Sequence, residues 1–205
     1  AWANKPFCCL AIAHIFLLFA TAVGSAGLAY FSRYVIRASD GWLGTFFLVA
    51  TLANLVATPL WVRLARVIGK KAGYMAAMAL YGAMHLLWLT ATPGEGQALL
   101  IVRAVVIGTA AAGMILCAYA MLSDAVRYDF IQSGERREGA FAGFTTLFDK
   151  LSAALALAAL GWFLARMGYV ASATGGAAPQ AASAVLAIRL CVSVVPAAAL
   201  LCGIL

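Results

Sequence analysis

The chain has 205 residues, of which 65% are hydrophobic and 10% are charged, and its formal net charge is +7. A soluble domain carries about 25% charged residues, so this composition, with a mean hydropathy of +0.99, excludes an ordinary water-soluble protein. The positive charge lies between apolar runs, which indicates attraction to anionic lipid head groups and gives no support for nucleic-acid binding.

Six apolar segments are each long enough to cross a bilayer, which requires about 20 residues. The sequence therefore predicts an all-α, polytopic membrane protein, with residues 1–205 forming one unit. In chain order the predicted spans are 7–35, 42–64, 73–91, 98–122, 140–164 and 182–205.

Prolines mark the ends and irregularities of these spans. Pro6 stands where the first turn of a helix tolerates proline, and Pro93 stops the third span. Pro59 predicts a bend near the end of the second span, and Pro196 predicts an interruption of the sixth.

The basic residues predict the orientation of the chain, because cytoplasmic loops carry an excess of Lys and Arg. The side that holds both termini carries eight: Lys5, Arg63, Arg66, Lys70, Lys71, Arg127, Arg136 and Arg137. The opposite side carries four: Arg33, Arg37, Arg103 and Arg166. We therefore expect cytoplasmic termini. The chain begins without Met and ends in the apolar run LLCGIL, so we expect a fragment of a longer protein.

Motifs for covalent chemistry are missing from the sequence. The five cysteines lie in apolar spans without metal-ligand spacing and are expected to pack as small hydrophobic residues. His14 and His85 stand alone on different spans, so a packing role with one hydrogen bond is favoured over a metal site. We therefore predict a protein that is not an enzyme and that needs no metal or cofactor.

Three charged residues lie deep inside predicted spans, where an ionisable side chain indicates a functional site. Lys150 is about ten residues into the fifth span, roughly 15 Å deep, and Asp149 lies at a similar depth on another face. Arg189 reaches a comparable level from the other side of the membrane. Depth alone predicts an interhelical pair between Asp149 and Arg189, with bundle stabilisation as the alternative role. Lys150 then has no acidic partner within this chain.

Several motifs in order resemble those of one transporter family. These are NKPFCCL at 4–10, PLWVRLARVIGKK at 59–71, MLSDAVRYDFIQSGERREGAFAGFTTLFDKL at 121–151, GYV at 168–170 and IRLCVSVVP at 188–196. The chain resembles the C-terminal half of the glycoside–pentoside–hexuronide cation symporters, the melibiose-carrier branch of the major facilitator superfamily. The resemblance implies six helices that form one half of the fold as a 3+3 inverted repeat, in a bacterial inner membrane.

The resemblance also implies roles for individual residues. Lys150 matches the lysine near the family's cation site. A cytoplasmic gate and loop is implied for Asp124, Tyr128, Asp129, Arg136 and Glu138. A solvated loop that only fixes topology is the alternative. The loop at 63–67 lacks the acidic residue that many facilitator loops carry, which puts a salt-bridge latch there in doubt. Polar candidates for one wall of a substrate cavity are Tyr30, Asn54, Tyr119, Thr145 and Thr146.

The predicted function is symport of a sugar or glycoside with Na⁺ or H⁺ by alternating access. The expected partners are the small-molecule sugar, membrane lipids and an N-terminal six-helix half that this chain lacks. Two alternatives remain open: a lipid or lysolipid carrier of the same superfamily, and a half-sized membrane scaffold or partner subunit without transport.

Overall fold

The computed structural model describes residues 4–39, 41–171 and 179–205, and all regular secondary structure in these ranges is helical. A π-helical turn, Ser32–Ile36, continues the first helix, and a 3₁₀ turn, Trp88–Thr90, continues the third. In chain order the α-helices are α1 Lys5–Phe31, α2 Trp42–Ile68, α3 Lys70–Leu87, α4 Gln97–Ser133, α5 Glu138–Arg166, α6 Ala182–Val192 and α7 Val194–Ile204.

The prediction of six membrane spans is confirmed. The described residues contain six helical segments long and apolar enough to cross a bilayer, and α6 with α7 together make the sixth, from Ala182 to Ile204. The spans alternate in direction, so α1, α3 and α5 all begin on the side of the chain termini.

The helix of the fourth span extends beyond the membrane segment that the sequence predicts. It was expected to end at Leu122, where the apolar run stops, but α4 continues to Ser133. Hydropathy registers only the part of a helix that lies in lipid, and a helix continues into water when nothing breaks it. Gly134 ends α4 with a positive φ of 70°, a conformation that glycine adopts without strain.

Pro196 interrupts the sixth span, and the break itself falls at Ser193 between α6 and α7. A proline has no N–H for the carbonyl four residues before it, which here is Val192. The Nδ1 atom of His85 on α3 forms a hydrogen bond with that carbonyl oxygen instead. His85 therefore has the packing role predicted for it, and it compensates for the proline.

Two of the larger helix contacts are related by an exchange of places, and α3 also packs on α4 and α1 on α7. The six spans form two triplets, α1 to α3 and α4 to the α6–α7 span. Helix α1, the first of its triplet, packs on α5, the second of the other triplet. Helix α2 packs on α4 in the reciprocal way. The last members, α3 and the α6–α7 span, pack against each other and complete the bundle. This exchange of places is what a 3+3 inverted repeat produces.

The contact between α2 and α4 is close because Gly108 has no side chain. A Cβ atom at Gly108 would lie 2.0 Å from the carbonyl oxygen of Ala50, so any other residue would force the helices apart. The Nε1 atom of Trp61 donates a hydrogen bond of 2.7 Å to the carbonyl of Thr109 on the same interface. The wall that these two helices form is fixed by backbone contact.

Candidate functional site

His14 and Asp149 face each other across the contact between α1 and α5. His14 Nε2 lies 3.6 Å from Asp149 Oδ1, and their side chains are 15% and 37% exposed. Both helices start on the same side, and nine residues of α1 and eleven of α5 place the pair roughly 14 to 17 Å from that side. The pair therefore lies inside the first and fifth spans, more than two turns from the start of each helix.

A pocket adjoins this pair on the surface formed by α1, α4 and α5. Its lining consists of Phe7, Leu10, Ala11, His14, Ala118, Tyr119, Leu122, Thr145 and Phe148. Its volume of about 20 Å³ is room for about one water molecule. A sugar would need a larger cavity, which a further wall opposite this surface would have to create.

The predicted pair of Asp149 and Arg189 does not form in the structure, where each residue has another partner. Asp149 faces His14, and Arg189 donates a hydrogen bond of 2.8 Å to the carbonyl oxygen of Leu89 at the end of α3. Equal depth brings two residues to one level of the membrane but does not rotate them towards each other. His14 was expected to stand without a carboxylate neighbour, and that expectation is also corrected.

Lys150 is exposed on the surface of the six-helix bundle, although it lies inside the fifth span, twelve residues after the start of α5. Among the residues that the structure describes, it forms no ion pair. Its neighbour Asp149 turns towards α1, because consecutive residues of a helix point about 100° apart. The amino group is therefore free to meet a carboxylate outside this bundle.

Two of the five predicted cavity residues line the pocket beside His14, and three lie elsewhere. Tyr119, 57% exposed, and Thr145 belong to the pocket. Thr145 and Thr146 donate hydrogen bonds to the carbonyls one turn earlier in α5. Asn54 is half-buried on α2, and Tyr30 packs edge-to-face on Tyr169 at the opposite end of the bundle.

The charged end of α4 is held by an ion pair that includes one of the predicted gate residues. Lys70 Nζ lies 2.6 Å from Asp124 Oδ2, with side-chain exposures of 44% and 60%. Lys70 begins α3 after a connection of one residue, Gly69. Nothing in the sequence distinguishes Lys70 from the neighbouring basic residues. The predicted 63–67 loop forms the last turns of α2 in the structure, and the acidic partner of Lys70 comes from α4.

The remaining gate candidates lie at or near the α4–α5 connection. The hydroxyl of Tyr128 accepts a hydrogen bond from Gln132, and the guanidinium of Arg136 lies over the ring of Phe130. Asp129 is half-buried on α4, and Glu138 is exposed at the start of α5. The structure places all five predicted gate residues at the same end of the bundle.

Arg137, between α4 and α5, forms a local ion pair that the sequence analysis did not single out. Its Nε and a terminal nitrogen both donate to Glu135 Oε2, at 2.8 and 2.7 Å. The hydrogen bonds and charge of Glu135 raise the pKa of Arg137 above its ordinary value. Because both residues lie in one connection, the pair does not join separate helices.

A second ion pair, also missed by the sequence analysis, lies at the opposite end of the bundle. Arg103 donates a hydrogen bond of 2.8 Å to Glu95, and the two side chains are only 4% and 7% exposed. The guanidinium lies 4.7 Å above the ring of Trp88, which is fully buried. The sequence does contain a signal for this pair: Arg103 stands near the start of an apolar span, and the acidic Glu95 comes shortly before it.

Metal-ligating residues are dispersed through the described ranges. No group of three or more His, Cys, Asp or Glu side chains there could hold a metal ion, and the five cysteines form no disulfide there.

Comparison with known proteins gives a family match over residues 1–205, to the model described as MFS/sugar transport protein. An uncharacterized symporter of Synechocystis sp. is 32% identical over the whole chain. A putative sulfoquinovose importer of Escherichia coli and a putative 2,3-dihydroxypropane-1-sulfonate exporter of Salmonella typhimurium are each 30% identical over 82% of the chain. The chain spans 38%, 35% and 36% of the length of these relatives.

Proposed function

The chain belongs to the MFS/sugar transport protein family, and we propose that it forms one six-helix half of a cation-coupled secondary transporter. It is an integral multi-pass membrane protein with six spans. The proposed carrier moves a sugar or sugar derivative with Na⁺ or H⁺ by rocking two halves about a central site.

The observation that carries this proposal is the polar surface of α1, α4 and α5 inside the membrane spans. His14, Asp149 and the exposed Lys150 bring three ionisable groups to one level of the bundle, and Tyr119 and Thr145 adjoin them. Such groups are costly against lipid and are found facing bundle interiors or wet cavities. A second half of similar size would turn this surface into the wall of a cavity, and the greater length of the relatives is consistent with such a half.

The proposed missing half is the N-terminal one, and Lys150 is proposed to lie beside the cation site that this half completes. The motifs at 4–10 and 121–151 support this assignment through their resemblance to the seventh to eleventh helices of the family. We propose that the termini are cytoplasmic in a bacterial inner membrane. The excess of basic residues on the terminal side and the bacterial origin of the named relatives support that placement.

The proposed gate is the cluster at the end of α4. Lys70 and Asp124 join α3 to α4 with an exposed ion pair, which is worth about 1 kcal/mol or less. A contact of that strength holds one closed state and breaks in each transport cycle.

The test is uptake by the complete gene product reconstituted in proteoliposomes. The panel contains a neutral glycoside such as melibiose and sulfoquinovose, the substrate named for one relative, each with an imposed Na⁺ or H⁺ gradient. A spin-labelled lysolipid tests the lipid-carrier alternative. Gradient-driven accumulation of a sugar supports the proposal, and movement of lysolipid without any sugar contradicts it.

The mass of the gene product in source membranes tests the half-sized scaffold alternative. An antibody to residues 132–138 would detect it on a blot. A species about twice the 21.4 kDa of this chain supports a two-half carrier. A species of about 21 kDa that transports no sugar supports the scaffold.

A further inference from the structure

We propose that His14 and Asp149 form a proton-binding site, so that the coupling ion of this carrier is H⁺. This inference rests on the proposed transport function and goes beyond it by naming the ion and the two groups that hold it. His14 lies outside the motifs through which the chain resembles its family, and Asp149, which lies inside the 121–151 motif, is given no role by that resemblance.

The first argument is the geometry of the pair. The separation of 3.6 Å is within the range of an ion pair and longer than a hydrogen bond of 2.7 to 3.2 Å. Asp149 Oδ1 and His14 Nδ1 are both shielded from solvent and make no hydrogen bond within the described residues. A proton bound to the imidazole is stabilised by the negative charge of the carboxylate. When that proton leaves, two buried polar atoms need water or another group as a hydrogen-bond partner.

The second argument is access. The two side chains are 15% and 37% exposed, and the ring of His14 lines a pocket with room for about one water molecule. A proton needs only a chain of water to reach the imidazole. A sugar-sized opening is unnecessary.

The third argument is the choice of groups. Histidine is the side chain whose ordinary charge change falls between pH 5 and 8, so it gains and loses a proton across physiological gradients. Sodium prefers several oxygen ligands, and this pair offers one carboxylate with an imidazole. Proton binding changes the charge of the pair from −1 to zero.

Among the ionisable side chains on the helices around it, the pair of His14 and Asp149 is the group that responds to pH. On α5, Lys150 is exposed and forms no ion pair among the described residues; on α4, Tyr119 lines the pocket. On α7 the ionisable side chain is Cys202, which is exposed, and on α6 Arg189 is engaged with the carbonyl of Leu89. Cys8 and Cys9 lie more than one turn earlier on α1.

In the proposed cycle, a proton enters from the outer side and binds His14 Nε2, facing the Asp149 carboxylate. The neutral pair and its substrate then cross together as the halves rock. On the inner side the proton leaves Nε2, the pair returns to a charge of −1, and the empty carrier reorients.

The direct test is a pH titration of the complete carrier labelled with ¹⁵N-histidine and followed by NMR. The signal that His14→Gln removes belongs to His14. We expect this signal to titrate, and Asp149→Asn to move its midpoint to lower pH, because the imidazolium then loses the attraction of the carboxylate. Arg166→Gln, a charge change at the far end of α5, leaves the midpoint in place. A signal that does not titrate, or one that Asp149→Asn leaves unmoved, overturns the site.

The functional test separates this inference from the proposed transport. One proton per neutral sugar drives about tenfold accumulation per pH unit. We expect His14→Gln and Asp149→Asn to lose this accumulation and keep sugar counterflow, and Asp149→Glu, which retains the charge, to keep both. Accumulation driven by Na⁺ but not by H⁺, or retained by both neutral variants, overturns the inference while transport stands. If the wild type moves no sugar, the proposed transport fails, and the NMR titration still decides whether the site binds a proton.

Discussion

Lys70 and Asp124 join the start of α3 to the charged end of α4 through a contact of 2.6 Å between Nζ and Oδ2. The connection between α2 and α3 is the single residue Gly69, so the pair also positions the end of α2. One exposed ion pair therefore ties three of the six spans at the proposed cytoplasmic end.

Breaking this pair is expected to change the gate more than the stability. Lys70→Gln should lower sugar accumulation by the complete carrier and leave the unfolding free energy within about 1 kcal/mol of the wild type, because the pair is exposed. Uptake in proteoliposomes and thermal unfolding in detergent measure the two effects.

The charge-reversed double variant, Lys70→Asp with Asp124→Lys, is expected to regain accumulation that either single reversal loses. Glu135→Gln is the matched control, since it breaks an exposed pair within one connection and should have no effect. Equal losses in the control and in Lys70→Gln would contradict the gate.

Lys150→Ala is expected to abolish ion-coupled accumulation while the protein still inserts and folds. The side chain is exposed on this bundle, so its removal costs little packing, and its proposed partner is a carboxylate of the other half. Uptake against a gradient and the amount of monodisperse protein after purification are the measurements. Undiminished accumulation would remove Lys150 from the cation site.

The hydrogen bond between His85 and the Val192 carbonyl is expected to contribute to stability, because Pro196 has no N–H to donate to that carbonyl. His85→Leu leaves the Val192 carbonyl without a partner in the protein interior and should lower the unfolding free energy by about 1 to 3 kcal/mol. Pro196→Ala restores a backbone N–H that can reach the same carbonyl.

The loss caused by His85→Leu should therefore be smaller by about 1 kcal/mol when Pro196→Ala is also present. Four unfolding free energies, for the wild type, both single variants and the double variant, measure this coupling. Strictly additive effects would show that the two residues act independently.

The buried pair of Arg103 and Glu95 is expected to be sensitive to the loss of one member. Arg103→Met leaves an unpaired carboxylate in a site that is only 7% exposed, and should cost about 3 to 5 kcal/mol of stability. Adding Glu95→Leu removes that charge and should recover most of the loss. Thermal unfolding checks both variants, with the exposed Arg66→Gln as a control expected within about 0.5 kcal/mol. A double variant as unstable as the single one would point to the stacking on Trp88 as the main contribution.

The fold was predictable because a membrane span is specified by length and hydropathy alone. Those quantities do not locate the end of α4, whose last turns are charged and lie beyond the apolar run. The family, the six spans and the interruption near Pro196 are confirmed; the roles assigned to Lys150 and to the gate residues remain predictions.

The partner of Asp149 could not be predicted from the sequence, for a different reason. Depth placed Arg189 at the right level, but helix rotation and the choice of neighbouring helix decide which side chains meet. His14 lies at the same depth on a helix that enters from the same side, which was the available signal, and α1 rather than α6 turned out to be the main neighbour of α5.

The close approach of Gly108 to Ala50 has a mechanical consequence for the transport cycle. Two helices whose backbones are in contact cannot slide past each other without separating or clashing, so α2 and α4 move together as one rigid unit. Any change of shape within this half then falls on α1, α5 and the broken sixth span, where His14, Asp149 and the turn at Ser193 are located.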